Sequence, residues 1–230
     1  MQPNVSAKKI SDILSTPLIV PDYQRPYSWE AAQVDDFISD TISFVKKHPD
    51  DTFDDYYLFG QIIIHVSHGK SNIVDGQQRL VTSTIFLCAV RDLYENDPVR
   101  FKIGKVTKSA IYNCVGIYDP ENNECSLKLK VGSKNQGFFL KYIQQGDHNI
   151  VPESDSDELV KQAYDIIIGQ IKEAVDEKIA LNHIAKGFLD CFYVSYMETN
   201  DLRKAFLIFE TLNSTSDERT FSITLRSTSA

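Results

Sequence analysis

The chain lacks an excess of positive charge, paired cysteines, a membrane-length apolar run and an internal repeat. Its 24 basic residues face 32 acidic ones, a formal net charge of −8. No bulk attraction to nucleic acid follows, and any contact with DNA or RNA needs a local basic patch. Cys88, Cys114, Cys125 and Cys191 contain no C-x-x-C pair, so they read as reduced thiols rather than disulfides or zinc ligands. No stretch approaches the roughly 20 apolar residues of a membrane span, and the N-terminus lacks the apolar core of a signal peptide. The expectation is a soluble, cytoplasmic protein with no membrane partner. At 230 residues the chain is long enough for one large domain or two small ones with a real core.

Periodicity orders the rest. Ile10, Ile13 and Leu14 are spaced for one face of a short helix over residues 6–14, and 17–20 reads as a strand closed by Pro21. The segment Pro21-Asp22-Tyr23-Gln24-Arg25-Pro26-Tyr27-Ser28-Trp29 is dense in aromatics and stiffened by its prolines. Ser28 is placed to cap a helix over 29–47 whose stripe of Val34, Phe37, Ile38, Ile42 and Val45 is buried, with Asp35, Asp36 and Asp40 outward. An apolar run at 56–66, a Ser67-His68-Gly69-Lys70 turn and a second strand at 71–74 form a hairpin. The helix that follows, 77–94, is apolar on most sides and therefore central.

Beyond Asn96 the pattern weakens. A strand is expected at 125–131, a short helix at 136–145, a long helix opened at Ser154, another helix at 178–189, a strand at 191–197 and a last helix at 201–212. Residues 214–230 hold 9 Ser/Thr in 17 and predict a loose tail. The order predicts an α+β fold. Its core lies within 1–95, a mainly helical lobe covers 96–190, and a strand–helix pair at 191–213 completes the core.

The most informative junction is Ile73-Val74-Asp75-Gly76-Gln77-Gln78-Arg79-Leu80. Asp75 can serve as N-cap, with Gln78 three positions on to complete a capping box, and Gly76 permits close backbone approach. Arg79 is the odd residue, because a cation in the first turn opposes the helix dipole at a cost of about 0.3–1 kcal/mol. A shared anion would offset that cost, so the junction reads as an anion site of free N–H groups plus a guanidinium. The structural alternative is a capped helix whose Arg79 snorkels or pairs with a carboxylate. Arg25 suits bidentate phosphate contact, or else packs on Tyr23 or Trp29. Tyr23, Tyr27 and Trp29 either stack on a base or fill the core. Gln78 either positions a water or closes the capping box, and Gln77 either donates to a phosphate oxygen or faces solvent. Glu210 and Asn213 end a helix, where Asn is common for structural reasons.

Three stretches together resemble a known bacterial family: Val20-Pro21-Asp22-Tyr23-Gln24-Arg25-Pro26-Tyr27-Ser28-Trp29, Asp75-Gly76-Gln77-Gln78-Arg79-Leu80, and Ala205-Phe206-Leu207-Ile208-Phe209-Glu210-Thr211-Leu212-Asn213. They look like the N-terminal GmrS-type domain of GmrSD-like, modification-dependent restriction systems, also found in phosphorothioate-sensing phage defence. The resemblance covers about residues 10–213. It implies a ParB/sulfiredoxin-like core that binds nucleotide and hydrolyses NTP, with the Gln-Gln-Arg motif tied to that activity. Carried over position by position, Arg79, Gln78 and Asp75 become the catalytic candidates, and Gln24, Arg25, Gly76, Gln77 and Asn213 the nucleotide- or phosphate-binding ones.

The implied cofactor is a nucleoside triphosphate with Mg2+, and the implied partner is modified DNA, reached through a separate nuclease or an HNH domain beyond this chain. His48, His65, His68, His148 and His183 are scattered without a His-Asn-His cluster, so direct nuclease activity lacks its metal ligands and none is assigned. After Asn213 the sequence departs from the family pattern. Ser216 stands at the glycine position, only Arg226 falls in register, and Ser227 replaces a second Asn, so a truncated or divergent C-terminus is expected. The rival reading is a non-catalytic module that binds nucleotide or modified DNA and signals to a nuclease.

Overall fold

Two β-branched runs build the middle of the sheet. The computed structural model describes residues 4–49, 52–116, 118–119, 124–125 and 127–215. In it β3 (Tyr57–Ser67) and β4 (Lys70–Asp75) pair antiparallel. Their turn residues His68 and Gly69 both have positive φ, 51° and 72°, as a two-residue hairpin turn requires. β8 (Phe192–Thr199) lies parallel on the other side of β3, and β1 (Asn4–Lys9) closes that edge antiparallel to β8. Beyond β4 come β2 (Leu18–Ile19) and β7 (Leu129–Lys130), each parallel to its neighbour. The order of this mixed six-stranded sheet is β1-β8-β3-β4-β2-β7, and β5 (Tyr118–Asp119) and β6 (Glu124–Cys125) form a separate pair. The fold is α+β, as the pattern predicts.

The helices are α1 (Ile10–Leu14), α2 (Ala31–Lys46), α3 (Gln77–Asn96), α4 (Lys105–Val115), α5 (Ser133–Phe138), α6 (Asp155–Asp176), α7 (Leu181–Cys191) and α8 (Leu202–Thr215), with a π-helical segment, Phe139–Gln144, directly after α5. Strand alternation divides the two faces of the sheet. Ile62, Ile64, Ile73, Phe192 and Val194 point into the main core, where α2, α3, α6 and α7 pack. Ile63, Val74 and Met197 point the other way, onto Ala205 of α8. α3 is buried from Leu80 through Leu93, which makes it the central helix. α6 lies across α2 and α3, so the helices after residue 96 share one hydrophobic cluster with the elements before it.

Several expectations need correction. Residues 6–9 are strand, because every residue of β1 pairs with β8, from Asn4 with Glu198 to Lys9 with Tyr193. Only 10–14 keep the helical spacing. Ser28 does not cap α2, since the helix starts at Ala31 and Glu30 holds the N-cap position, in a box with Gln33; the Ser28 backbone N–H goes to Gln78 Oε1. The strand expected at 125–131 is two short pieces, with Ser126 outside the described residues. The helix expected at 136–145 starts at Ser133 and changes to π geometry at Phe139. Of the tail, 214–215 belong to α8, and 216–230 lie outside the described residues.

Among the described residues, Cys88, Cys114 and Cys191 are free and buried. Burial pushes the Cys88 and Cys114 thiols up to about 12 and that of Cys191 up to about 11. An unfolded thiol ionises near about 8.5, so above that pH the unfolded chain sheds protons that the folded chain keeps. The thiols' contribution to stability is therefore complete below about pH 8 and is lost as pH rises toward 11. Urea midpoints at pH 7 and pH 10 are expected to be clearly lower at pH 10. Equal midpoints would mean that the thiols are not sequestered.

Candidate functional site

The chain leaves β4 at Asp75, turns at Gly76 and enters α3. Gly76 sits in the left-handed region at φ 86°, and no side chain caps the helix. Both N-terminal expectations at this junction are thus corrected. Asp75 is not an N-cap, because its carboxylate accepts the amide of Gln61 at 2.8 Å. Gln78 does not close a capping box, because both ends of its amide are engaged elsewhere. Glycine is required here by contact as well as by φ: a Cβ would lie 2.8 Å from the Gln61 carbonyl and 2.8 Å from Ile62 Cγ1. The first N–H groups of α3 therefore carry the positive end of the helix dipole without a carboxylate cap.

Three glutamines lace this junction to the Pro-stiffened loop. Gln24 Nε2 donates to the Val74 carbonyl at 3.0 Å, and Gln77 Nε2 donates to the Arg25 carbonyl at 2.8 Å. Gln78 donates to the Pro26 carbonyl and accepts from the Ser28 N–H at 3.0 Å. Gln77 is buried, so it does not face solvent. The buried Tyr27 shares a hydrogen bond with Thr82 at 2.8 Å, and its carbonyl accepts from Ser156. Tyr27 is thus core, whereas Tyr23 is exposed and meets Phe206 of α8 at 6.3 Å between ring centroids. All three motif stretches converge on one end of β4, with the amides of Gln24, Gln77 and Gln78 engaged in holding the loop.

The arginines are free of that lacing. Arg79 is half-buried and lies flat over Gly60 of the β3 bulge, where a Cβ would be 2.8 Å from its Nε. Among the described residues its one hydrogen bond is a long 3.5 Å contact to the Gln61 carbonyl. Among the described residues the arginines in ion pairs are Arg91 and Arg100, so Arg79 pairs with no carboxylate there. Tyr57 sits nearby. Burial, then its hydrogen bond to Asp40, pushes the phenol well up, while the charge of Arg79 pulls it down. Arg25 is exposed and lines a cleft with Gln24 and Gln77. At 3.6 residues per turn, Gln77 and Arg79 stand about 200° apart on α3. The two guanidinium groups therefore flank the helix start from opposite sides. Asn213 falls in the last turns of α8, with its side chain outside the described residues.

Sequence reasoning missed Gly60 and Gln61. Gln61 touches Asp75 and Arg79 and abuts Gly76. The signal was present, because a Gly-Gln pair inside an apolar strand run marks a bulge or a close backbone approach; Gly60 has φ 92° and the register shifts there. Asp22 was also passed over. Its carboxylate accepts the Ser133 N–H at 2.8 Å and is held below the usual range by that bond.

Fold and site together define a mixed α+β domain whose glycine-led helix start has no side-chain cap and is flanked by two guanidinium groups, Arg25 and Arg79, that make no ion pair among the described residues. Residues 7–222 match the model of the GmrSD restriction endonuclease, N-terminal domain. The chain belongs to that family and is thereby a component of a restriction system. The curated proteins contain no match to it. No helix among the described residues is long and apolar enough to cross a membrane.

Proposed function

We propose that this chain is a nucleotide-binding, NTP-hydrolysing domain on a ParB/sulfiredoxin-like core, acting in the cytoplasm to regulate or power a nuclease outside it. The observation that carries the reading is the α3 start. Its N–H groups follow a glycine that tolerates no side chain, and Arg79 and Arg25, neither in an ion pair among the described residues, stand on either flank. Guanidinium groups on opposite flanks suit a chain of phosphates better than a single one. Binding would place phosphate oxygens on the helix N–H groups. Charge developing on the transferred phosphoryl group would meet Arg79 on one side and Arg25 on the other. Asp75, held by Gln61, orients the turn. Gln24, Gln77 and Gln78 fix the loop that carries Arg25.

The magnesium ion implied by the resemblance finds no protein cage. Among the described residues no group of three or more His, Cys, Asp or Glu side chains is placed to hold a metal. The described residues do not fit an ion held by protein ligands alone.

One observation favours the rival reading of a non-catalytic sensor. The glutamines are engaged in structural bonds, and Asp75 is tied to Gln61, which leaves the junction without an evident general base. A panel of NTPs separates the two readings. Phosphate release supports hydrolysis, whereas a nucleotide-dependent rise in melting temperature without release supports the sensor. Neither effect with any nucleotide overturns both.

A further inference from the structure

The cleft on the Gln77 face of α3 has a second wall. Its floor is apolar, with Val20, Val81, Val131, Phe139 and Val160. Its interior, about 20 Å³, has room for about one water, so a ligand binds at the mouth rather than inside. Most polar groups at the mouth are already engaged. Asp22 accepts from the Ser133 N–H. Asn135 donates to Asp157 at 2.8 Å and accepts from Ser156 at 3.0 Å. Gln24 and Gln77 hold carbonyls of β4 and the loop. The exceptions are Arg25 on one wall and Lys134 on the other. Both are exposed, and neither side chain makes an ion pair or hydrogen bond among the described residues. In a chain of net charge −8, the cleft lining carries two cations against one carboxylate, Asp22.

We infer that this mouth is a phosphoryl-binding subsite in which Lys134 is the second cation beside Arg25; the inference rests on the nucleotide reading above. Arg25 offers a planar fork and Lys134 a point charge with three donors, a pair that covers the oxygens of one phosphoryl group. Asp22 opposes the anion at the rim, though its bond to Ser133 keeps one oxygen turned toward the wall.

The test is binding of a non-hydrolysable NTP analogue, and separately of inorganic phosphate, to the full chain by calorimetry. Lys134→Ala is expected to weaken binding about tenfold and Lys134→Glu further. Asp22→Asn keeps an oxygen to accept from Ser133 and removes the charge, so it is expected to tighten binding about two- to threefold at low salt. Loss of structure cannot produce that gain, and unchanged melting temperatures check the fold of each variant. If Arg79→Ala weakens binding while the Lys134 and Asp22 variants bind as wild type does, the inference is overturned and the nucleotide reading stands. If Lys134 and Asp22 shift affinity as stated and Arg79→Ala does not, the subsite stands and the reading centred on the helix start falls. Absence of binding by wild type overturns both.

Discussion

Gly76→Ala is expected to destabilise the chain by about 2–5 kcal/mol and to remove its nucleotide response. A left-handed conformation costs an L-residue about 1–2 kcal/mol, and Gly76 stands at φ 86°. Overpacking adds about 1–3 kcal/mol, because the new Cβ would lie 2.8 Å from both the Gln61 carbonyl and Ile62 Cγ1. The carbonyl belongs to the bulged strand beneath Arg79 and cannot swing aside as a side-chain tip could. Gly69→Ala is the control. It has φ 72° but open space around the added Cβ, so only the torsional part should appear. Urea unfolding of both variants isolates the contact. Equal losses would mean that β3 does not press against Gly76, and the stated reason for a glycine at this turn would fail.

Arg91→Ala is expected to destabilise by about 3–5 kcal/mol, the range for breaking a buried charge pair by removing one partner. Arg91 and Asp92 are 8% and 5% exposed. Arg91 Nε donates to Asp92 at 2.8 Å, and its Nη atoms donate to the Gln144 and Ile143 carbonyls at 2.8 and 2.9 Å, at the end of the π-helical segment. Tyr164 donates to the other oxygen of Asp92 at 2.8 Å, with His148 Nε2 3.2 Å from it. Removing the guanidinium strands the carboxylate and leaves two carbonyls without their donor. The π-helical segment begins at Phe139, part of the cleft floor, so the same substitution should loosen the cleft. The double variant Arg91→Met/Asp92→Leu is expected to be more stable than Arg91→Ala, since no buried charge is left unpaired. A double variant at least as unstable as the single one would show that carbonyl capture, not the charge pair, dominates.

The elements most legible in the sequence were those whose periodicity and burial agree. α2 shows the buried stripe from Val34 to Val45, α3 is buried almost all round, and Ser154 caps α6 by accepting from the Asp157 N–H. Where tertiary pairing competes, local spacing misleads. Ser6 to Lys9 looked helical beside Ile10 but form an edge strand, because β8 offers them a complete set of partners. The π-helical segment was invisible, and the arginine that takes its last carbonyls, those of Ile143 and Gln144, lies more than 50 residues away in sequence.

At the site, residue types signalled the place but not the division of labour. Asp75 and Gln78 have cap chemistry at cap spacing. Yet Gln61 and the loop backbone, 14 and 52 residues away in sequence, take those side chains instead. Arg79 was legible as an anomaly, a cation in a first turn. Its seat is Gly60, a flat surface built by a bulge that no local pattern around Arg79 reveals.

The central claim is that Arg79 serves a bound phosphate chain rather than the fold. Phosphate release by wild type and by Arg79→Ala, with the nucleotide that wild type turns over fastest, tests it most directly. Arg79 makes one long bond and no ion pair among the described residues, so its loss should leave the unfolding free energy within about 0.5 kcal/mol of wild type. Release should fall about 10²–10³-fold, the cost of removing one transition-state donor. Equal release from the two proteins, or no release from wild type with any nucleoside triphosphate, would contradict the account.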